Sequence, residues 1–226
     1  MLSLGLPLPL CEGQGDPLVY VALALPMGWD ATVSAVHAVL AREGGQTAAA
    51  SHPPHITLHP PFRLNVPRDA LSEALQTVSS MLPDGEVEIG TVDAFRDDEG
   101  SIEQIVLRLN GGFCEQVHAM LLDALAFAWD NNDTQMFTIW PERHRRAGFI
   151  PHVSLAIGDL TASSAGRDAQ LTRVRGLMAD LEAVVAEPRA FVPDRLLAIA
   201  YESRLDGSLP TAGPAVLASA ALGGAT

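Results

Sequence analysis

Hydrophobic residues along the chain follow two periods, one typical of strands and one typical of helices. Residues 18–25 form an uninterrupted apolar run that predicts a buried strand, which ends at Pro26 and Gly28. Apolar residues then recur every three or four positions over residues 32–43, which predicts a helix, and residues 53–62 predict a second strand. Residues 18–62 therefore predict a strand–helix–strand unit.

The same two periods continue through the rest of the chain. They predict, in order, a helix over residues 67–82, a hairpin of strands at 86–95 and 101–109, a helix around 117–125, a strand at 148–157, a helix around 171–181 and a strand at 195–203. A strand–helix–strand theme in each half indicates an α+β fold.

These elements also predict the organisation of the chain. We expect residues 1–17 to be a flexible start and residues 18–205 to form a single domain. Residues 206–226 are rich in Gly, Ala and Pro without a strong period, so we expect a poorly ordered tail.

Composition and charge limit the classes of partner. Of the 226 residues 48% are hydrophobic and 18% charged, which excludes a disordered chain. The formal net charge is -13, and all 14 basic residues are arginine. Extended duplex binding needs many cationic contacts to phosphate, so this balance argues against it but permits a small local anion site.

Cysteine usage and hydropathy point to a compartment. Cys11 and Cys114 are the only cysteines, too few for a disulfide framework or a four-cysteine zinc site. No apolar run approaches the roughly 20 residues of a membrane helix, so no membrane association is expected. We expect a cytoplasmic protein, and the sequence predicts no particular oligomeric state.

One short repeat stands out between the two halves. The pentapeptide PHITL at residues 54–58 recurs as PHVSL at residues 151–155, in both cases within a predicted strand. Because residues i and i+2 of a strand share a face, His55 and Thr57 point together, and so do His152 and Ser154. If the two strands lie side by side, they present two imidazoles and two hydroxyls to one site.

This set of side chains suits displacement at phosphorus. The reaction needs a base on the attacking oxygen and an acid on the leaving oxygen, and histidine serves both roles near neutral pH. The hydroxyls can donate hydrogen bonds to the non-bridging phosphate oxygens, so no metal or other cofactor is required. The residues therefore predict catalysis by His55 and His152, with Thr57 and Ser154 holding the phosphate.

The paired motifs resemble those of the two-histidine phosphoesterases, the group of 2′-5′ RNA ligase-like proteins and cyclic nucleotide phosphodiesterases. The strings PPHITLHPPF and FIPHVSLAIG are similar to the two motif strands of that family. The resemblance implies a bilobal α+β fold with an internal pseudo-duplication. In such a fold two antiparallel sheets are flanked by helices, and the motifs face each other across a central groove.

The resemblance also implies an activity. It points to phosphodiesterase action on 2′,3′-cyclic phosphates or 2′-5′ linkages of nucleotides or RNA ends. It does not assign which histidine is acid and which is base, since the roles exchange between forward and reverse reactions. Hydrolysis and ligation both remain open, and the acidic, lysine-free composition makes transfer RNA halves less expected as substrates.

Further residues near the motifs are candidates for binding substrate. Arg145 and Arg146 belong to a basic loop before the second motif, where guanidinium groups would steer a phosphate. The aromatic residues near the motifs would stack on a base, although core packing is the favoured alternative for each; they are Phe62, Trp140 and Phe149. His59 is expected to line the cleft or its rim.

Two other functions remain as alternatives. A zinc-dependent hydrolase would use His52, His55 and His59, but neighbouring prolines forbid a helix and no acidic ligands accompany them. In a strand only His55 and His59 share a face. The non-enzymatic alternative is a module that binds a nucleotide or phosphate without turning it over.

Overall fold

The structure, a computed structural model, describes residues 18–42, 55–64, 66–96, 102–126, 149–157, 167–185, 189–201 and 214–222. Four α-helices and eight strands lie in these ranges. The strands are β1 (Leu18–Ala24), β2 (His55–Arg63), β3 (Val87–Arg96), β4 (Ile102–Asn110), β5 (His152–Ile157), β6 (Ala190–Phe191), β7 (Arg195–Tyr201) and β8 (Ala215–Ala221). The helices are α1 (Asp30–Arg42), α2 (Arg68–Met81), α3 (Phe113–Ala124) and α4 (Arg167–Val184).

Local sequence signals account for several element ends. Pro67 directly precedes α2, where its missing N–H costs nothing, and the N–H of Ala70 bonds to its carbonyl. Between β4 and α3 the chain turns through Gly111 and Gly112, which have φ values of 105° and 72°. These are backbone conformations that side chains disfavour, so the two glycines allow the strand to lead directly into the helix.

All eight strands join one antiparallel sheet in the order β6-β3-β4-β5-β2-β1-β7-β8. The predicted α+β class is therefore confirmed. Instead of two separate sheets, the strands form two four-stranded halves that meet where β2 pairs with β5. The pairing there is Ile56 opposite Val153.

The two halves repeat one topological unit. In the first half β1 leads through α1 to β2, and in the second half β4 leads through α3 to β5. Each motif strand is antiparallel to the strand that precedes it in its unit. This arrangement matches the expected pseudo-duplication and brings the two motif strands to the centre of the sheet.

Burial separates the two faces of the sheet. On one face a large hydrophobic cluster packs against the helices; its fully buried members include Val21, Leu23, Ile56, Leu58, Leu75, Leu107, Leu121 and Leu181. On the other face Tyr20, Ala22 and Ile199 form a smaller buried cluster. Burying a side chain the size of leucine stabilises a fold by roughly 1.5–3 kcal/mol, so the larger cluster dominates folding.

The helices cover the core face in pairs. Helix α1 contacts α4, and α2 contacts α3. Helix α3 also contacts β2, so the first motif strand lies directly against a helix on its core side. Among the described residues no helix is long and apolar enough to cross a membrane.

The end of the chain departs from the sequence prediction. Residues 215–221, expected to belong to a poorly ordered tail, form the edge strand β8 and pair with β7. The backbone N–H of Leu222 also bonds to the carbonyl of Asp194 at 2.7 Å, and helix α2 lies against the strand. The prediction failed because alanine and serine carry little strand preference of their own, and tertiary pairing decides their conformation.

Candidate functional site

The alternation predicted for the motif strands is confirmed by burial. Ile56 and Leu58 are both 0% exposed and belong to the large core, as do Val153 and Leu155 of the second strand. The side chains between them are half-buried and lie on the opposite face of the sheet; they are His55, Thr57, His152 and Ser154. We call this surface the motif face.

The register between the two strands sets the arrangement of these four side chains. A single backbone pair, Ile56 opposite Val153, joins the two strands. A regular antiparallel ladder continued by one step in each direction would set His55 opposite Ser154 and Thr57 opposite His152. Side chains directly opposite have Cβ atoms about 4.5–5.5 Å apart, and those on the diagonal are about 7–8 Å apart. In such a ladder the two imidazoles would occupy one diagonal of a square and the two hydroxyls the other.

His152 is oriented by its own backbone. Its Nδ1 lies 2.8 Å from the carbonyl oxygen of Ile150, and because a carbonyl only accepts, Nδ1 carries the hydrogen and donates it. The Phe95 ring meets the imidazole edge to face, with 4.9 Å between centroids. With Nδ1 bonded in this way, Nε2 is the ring nitrogen that can exchange a proton with a ligand.

His55 has a different environment. Its ring lies 4.9 Å from the ring of Tyr20, which is 5% exposed, at an interplanar angle of 37°. On the neighbouring strand Ala24 is opposite His55 and Ala22 is opposite Thr57. Since alanine carries only a methyl group, neither residue obstructs the motif side chains.

Ser154 is held by a residue that the sequence did not single out. The side-chain amide of Gln104, on the adjacent strand β4, donates a hydrogen bond to Ser154 Oγ. Gln104 is only 9% exposed, so this contact is protected from water. With one lone pair engaged in this way, the Ser154 hydroxyl keeps its own hydrogen for donation.

A charged pair lies beside His152 on the motif face. Arg108 of β4 is paired with His152 in the ladder, and its Nη2 lies 2.6 Å from Asp93 Oδ2 on β3. Burial alone would raise the pKa of the Asp93 carboxyl, but the N–H of Ala94 and the Arg108 guanidinium stabilise its charged form and hold the pKa below the usual value of 3.8. The Arg108 guanidinium also lies over the Phe95 ring, 5.5 Å from its centroid.

A buried histidine contacts a residue of the first motif and a residue just before the second motif. His118 of α3, 1% exposed, donates from Nδ1 to the carbonyl of Leu58 in the first motif strand. The ring of Phe149, just before the second motif, stacks on it at 4.1 Å with an angle of 12°. Phe149, a predicted base-stacking residue, is therefore half-buried against a helix histidine.

His59 and Phe62 lie in the core, with exposures of 0% and 1%. His59 was expected to share a face with His55 and line the cleft, but the register between β1 and β2 shifts so that His59 pairs with Val21, a core residue. An extra residue in one strand reverses the alternation beyond it, which corrects the expectation for His59. Neither side chain is part of the site that the motif face presents.

The remaining predicted binding residues lie outside the described residues. These are Trp140, Arg145 and Arg146. His52, the third histidine of the zinc alternative, also lies outside them. Within the part of the chain that the structure describes, no group of three or more His, Cys, Asp or Glu residues is placed to hold a metal ion.

Sequence reasoning missed the residues that surround the motifs. They are Tyr20, Asp93, Phe95, Gln104 and Arg108. One signal was legible, since Arg108 interrupts the apolar run of residues 105–109 and Gln104 directly precedes it. Their placement beside the motif, however, depends on a sheet order that local sequence does not give.

The fold resembles solved structures of low sequence identity. LigT of E. coli, solved in complex with NADP+, has a TM-score of 0.54 at 14% identity, over 92% of this chain and 99% of that one. The protein TT0787 of Thermus thermophilus has a TM-score of 0.54 at 13% identity, over 91% and 97% of the two chains. No curated protein gives a significant match.

A family model matches most of the chain directly. The match covers residues 26–190 and therefore includes both motif strands and all four helices. The chain belongs to the 2′-5′ RNA ligase superfamily.

Proposed function

We propose that this protein is a metal-independent phosphodiesterase that acts on 2′,3′-cyclic phosphates or 2′-5′ linkages of nucleotides or RNA ends. The observation that carries the proposal is the pairing of Ile56 with Val153, which joins the two motif strands side by side. This supports a shared site, because each strand presents a histidine and a hydroxyl on the motif face. Membership of the superfamily supports an enzyme of this class.

In this mechanism the scissile phosphate lies between the two imidazoles. One neutral histidine removes a proton from water or a ribose hydroxyl as that oxygen attacks phosphorus. The other, protonated, gives its proton to the leaving ribose oxygen as the P–O bond breaks. His152 acts through Nε2, since Nδ1 is bonded to Ile150.

The hydroxyls of Thr57 and Ser154 hold the phosphate during this step. They donate to the non-bridging oxygens, where negative charge persists through the transition state. The bond from Gln104 to Ser154 Oγ directs the serine proton away from Gln104 and toward the phosphate. If a ribose hydroxyl attacks in place of water, the same residues can catalyse ligation. For small substrates we propose that the reaction is hydrolysis.

The charge balance favours small substrates or chain ends. A formal net charge of -13 repels long polyanions, whereas a single phosphate can be held locally. LigT of E. coli has been solved with NADP+ and with ATP, which supports nucleotides as ligands of this fold. We propose that nucleotides carrying a cyclic or 2′-linked phosphate bind to the motif face.

The test is hydrolysis of nucleoside 2′,3′-cyclic phosphates in the presence of a chelator. We expect turnover in wild-type protein, and a loss of about 100-fold or more in His55→Ala and in His152→Ala with folding intact. Thr57→Val should also lose activity, whereas Thr77→Val on the exposed side of α2 is the matched control and should not. Turnover abolished by the chelator would favour a metal hydrolase, and binding without turnover would favour a non-catalytic module.

A further inference from the structure

Arg108 occupies a defined place relative to the motif residues. It lies in β4 directly opposite His152 in β5, so its side chain is on the motif face. Neighbouring strands are about 4.8 Å apart, which puts Arg108 one strand spacing beyond His152 and two beyond His55. Its guanidinium therefore flanks the space between the imidazoles rather than lying within it.

The guanidinium is held in place from two sides. Its Nε donates to Asp93 Oδ2 at 2.7 Å, and its Nη2 lies 2.6 Å from the same oxygen. The Phe95 ring lies beneath it and in turn contacts His152. Asp93 at one edge of the guanidinium and Phe95 on its face already restrict this long side chain. Binding a ligand therefore costs it less conformational entropy.

Arg108 still has capacity for an anion. A guanidinium has five N–H donors, and Asp93 engages only one on Nε and one on Nη2. The Arg108 side chain is 36% exposed, so a ligand on the motif face can reach it. Because Asp93 balances the charge of Arg108, what Arg108 offers a second phosphate is its three remaining N–H donors, held in a fixed orientation next to the reacting centre.

We propose that Arg108, positioned by Asp93 and Phe95, forms a second phosphate subsite beside the reacting centre. It binds the phosphate on the 5′ oxygen of the nucleoside whose cyclic or 2′-linked phosphate lies between His55 and His152. This inference rests on the proposed function. The subsite selects nucleotides with two phosphate groups over those with a free 5′ hydroxyl. Such nucleotides can be free or stand at the end of an oligonucleotide.

The geometry favours a second phosphate over the reacting one. Asp93 belongs to β3, on the far side of β4 from the motif strands, and it draws the guanidinium in that direction. The next phosphate of a nucleotide chain lies one ribose away from the first. Arg108 is therefore placed for the neighbour of the scissile phosphate.

Equilibrium binding tests the subsite without requiring turnover. The probes are a nucleoside 3′-monophosphate, the matching nucleoside 3′,5′-bisphosphate, and a dinucleotide that carries the same 3′-phosphate. We expect wild-type protein to bind the bisphosphate at least about tenfold more tightly than the monophosphate, since a charge-assisted contact is gained. Comparison of the bisphosphate with the dinucleotide distinguishes a terminal 5′-phosphate from an internucleotide diester.

Variants assign the preference to Arg108. Arg108→Gln should bring the two dissociation constants within about twofold of each other, and Arg108→Lys, which keeps the charge but not the fork, should retain part of the preference. Arg195→Gln is the matched control, because Arg195 also pairs with a neighbouring aspartate but lies on β7. It should keep the full preference.

Several outcomes would overturn the subsite. They are an equal affinity of wild-type protein for monophosphate and bisphosphate, a preference that survives in Arg108→Gln, or an equal loss in Arg195→Gln. The comparison of monophosphate and bisphosphate affinities in wild-type protein tests the proposal even if a variant fails to fold. Preference for the bisphosphate without hydrolysis of any cyclic phosphate would refute the proposed activity but not the subsite. Hydrolysis of a cyclic phosphate without preference for the bisphosphate would refute the subsite but not the proposed activity.

Discussion

Ile56 of β2 is paired with Val153 of β5, and at this pair the two halves of the sheet meet. Both side chains are buried in the core, so the register of the pair is fixed by packing. A slip of one residue would move the motif residues of one strand to the core face. The hydrophobic residues inside the motifs therefore determine where the polar residues point.

The first prediction concerns stability at this junction. Because Ile56 is 0% exposed, Ile56→Ala should lower the free energy of unfolding by about 2–5 kcal/mol, and Ile56→Val by about 0.5–1.5 kcal/mol. Urea denaturation measures both. Val216→Ala, at a side chain that is 50% exposed on β8, is the control and should cost much less. An Ile56→Ala cost as small as that of the control would mean that the junction is not packed.

The second prediction concerns Gln104. Gln104→Leu removes the donor that orients Ser154 Oγ, and we expect kcat on a 2′,3′-cyclic phosphate to fall by about 2- to 10-fold with little change in KM. The effect should be absent in a Ser154→Ala background, because the group that Gln104 positions is then missing. Additive losses in the double variant would show that Gln104 acts independently of Ser154.

The third prediction concerns the pH dependence of stability. Since the pKa of Asp93 is lower in the folded protein than its usual value of 3.8, its charged form stabilises the fold above that pH. The contribution disappears as the pH falls through the folded pKa. We expect Asp93→Asn to be less stable than wild-type protein at pH 6 and the difference to shrink below about pH 3. A difference that stays constant over this range would contradict the assignment.

The fourth prediction concerns the thiol of Cys114, which is 1% exposed. Burial, and to a lesser extent the charge of Glu115, raises its pKa to about 12, so it is protonated at pH 8. In a Cys11→Ser variant a thiol reagent should react only after denaturation. Rapid stoichiometric labelling of the native protein would show that the thiol is accessible.

The faces of the motif strands were predictable from sequence, because a period of two assigns them without knowledge of any partner. His55 and Thr57 lie together on the motif face for this reason. The face of His59 was not predictable, since it depends on a register shift between β1 and β2 that leaves no local signal. Arg108 was missed because only the sheet order brings β4 beside the second motif.

The edge strand β8 was also not predictable from local sequence. Strand β8 consists of alanine, valine, leucine and serine, and it is a strand because β7 offers an edge and α2 covers it. Tertiary context decides such segments, whereas the apolar run of β1 is decisive alone. The resemblance to the two-histidine family, by contrast, follows from two short motifs and the strands around them, PPHITLHPPF and FIPHVSLAIG, and the match over residues 26–190 confirms it.

The central claim is that His55 and His152 act on one phosphate, and a crystal structure with a bound nucleoside 3′-monophosphate tests it most directly. We expect the phosphate between the two rings, with an oxygen within about 3.2 Å of His152 Nε2 and another within that distance of a His55 ring nitrogen. Thr57 and Ser154 should donate to the same group. A phosphate bound elsewhere, or imidazoles turned toward separate sites, would contradict the account.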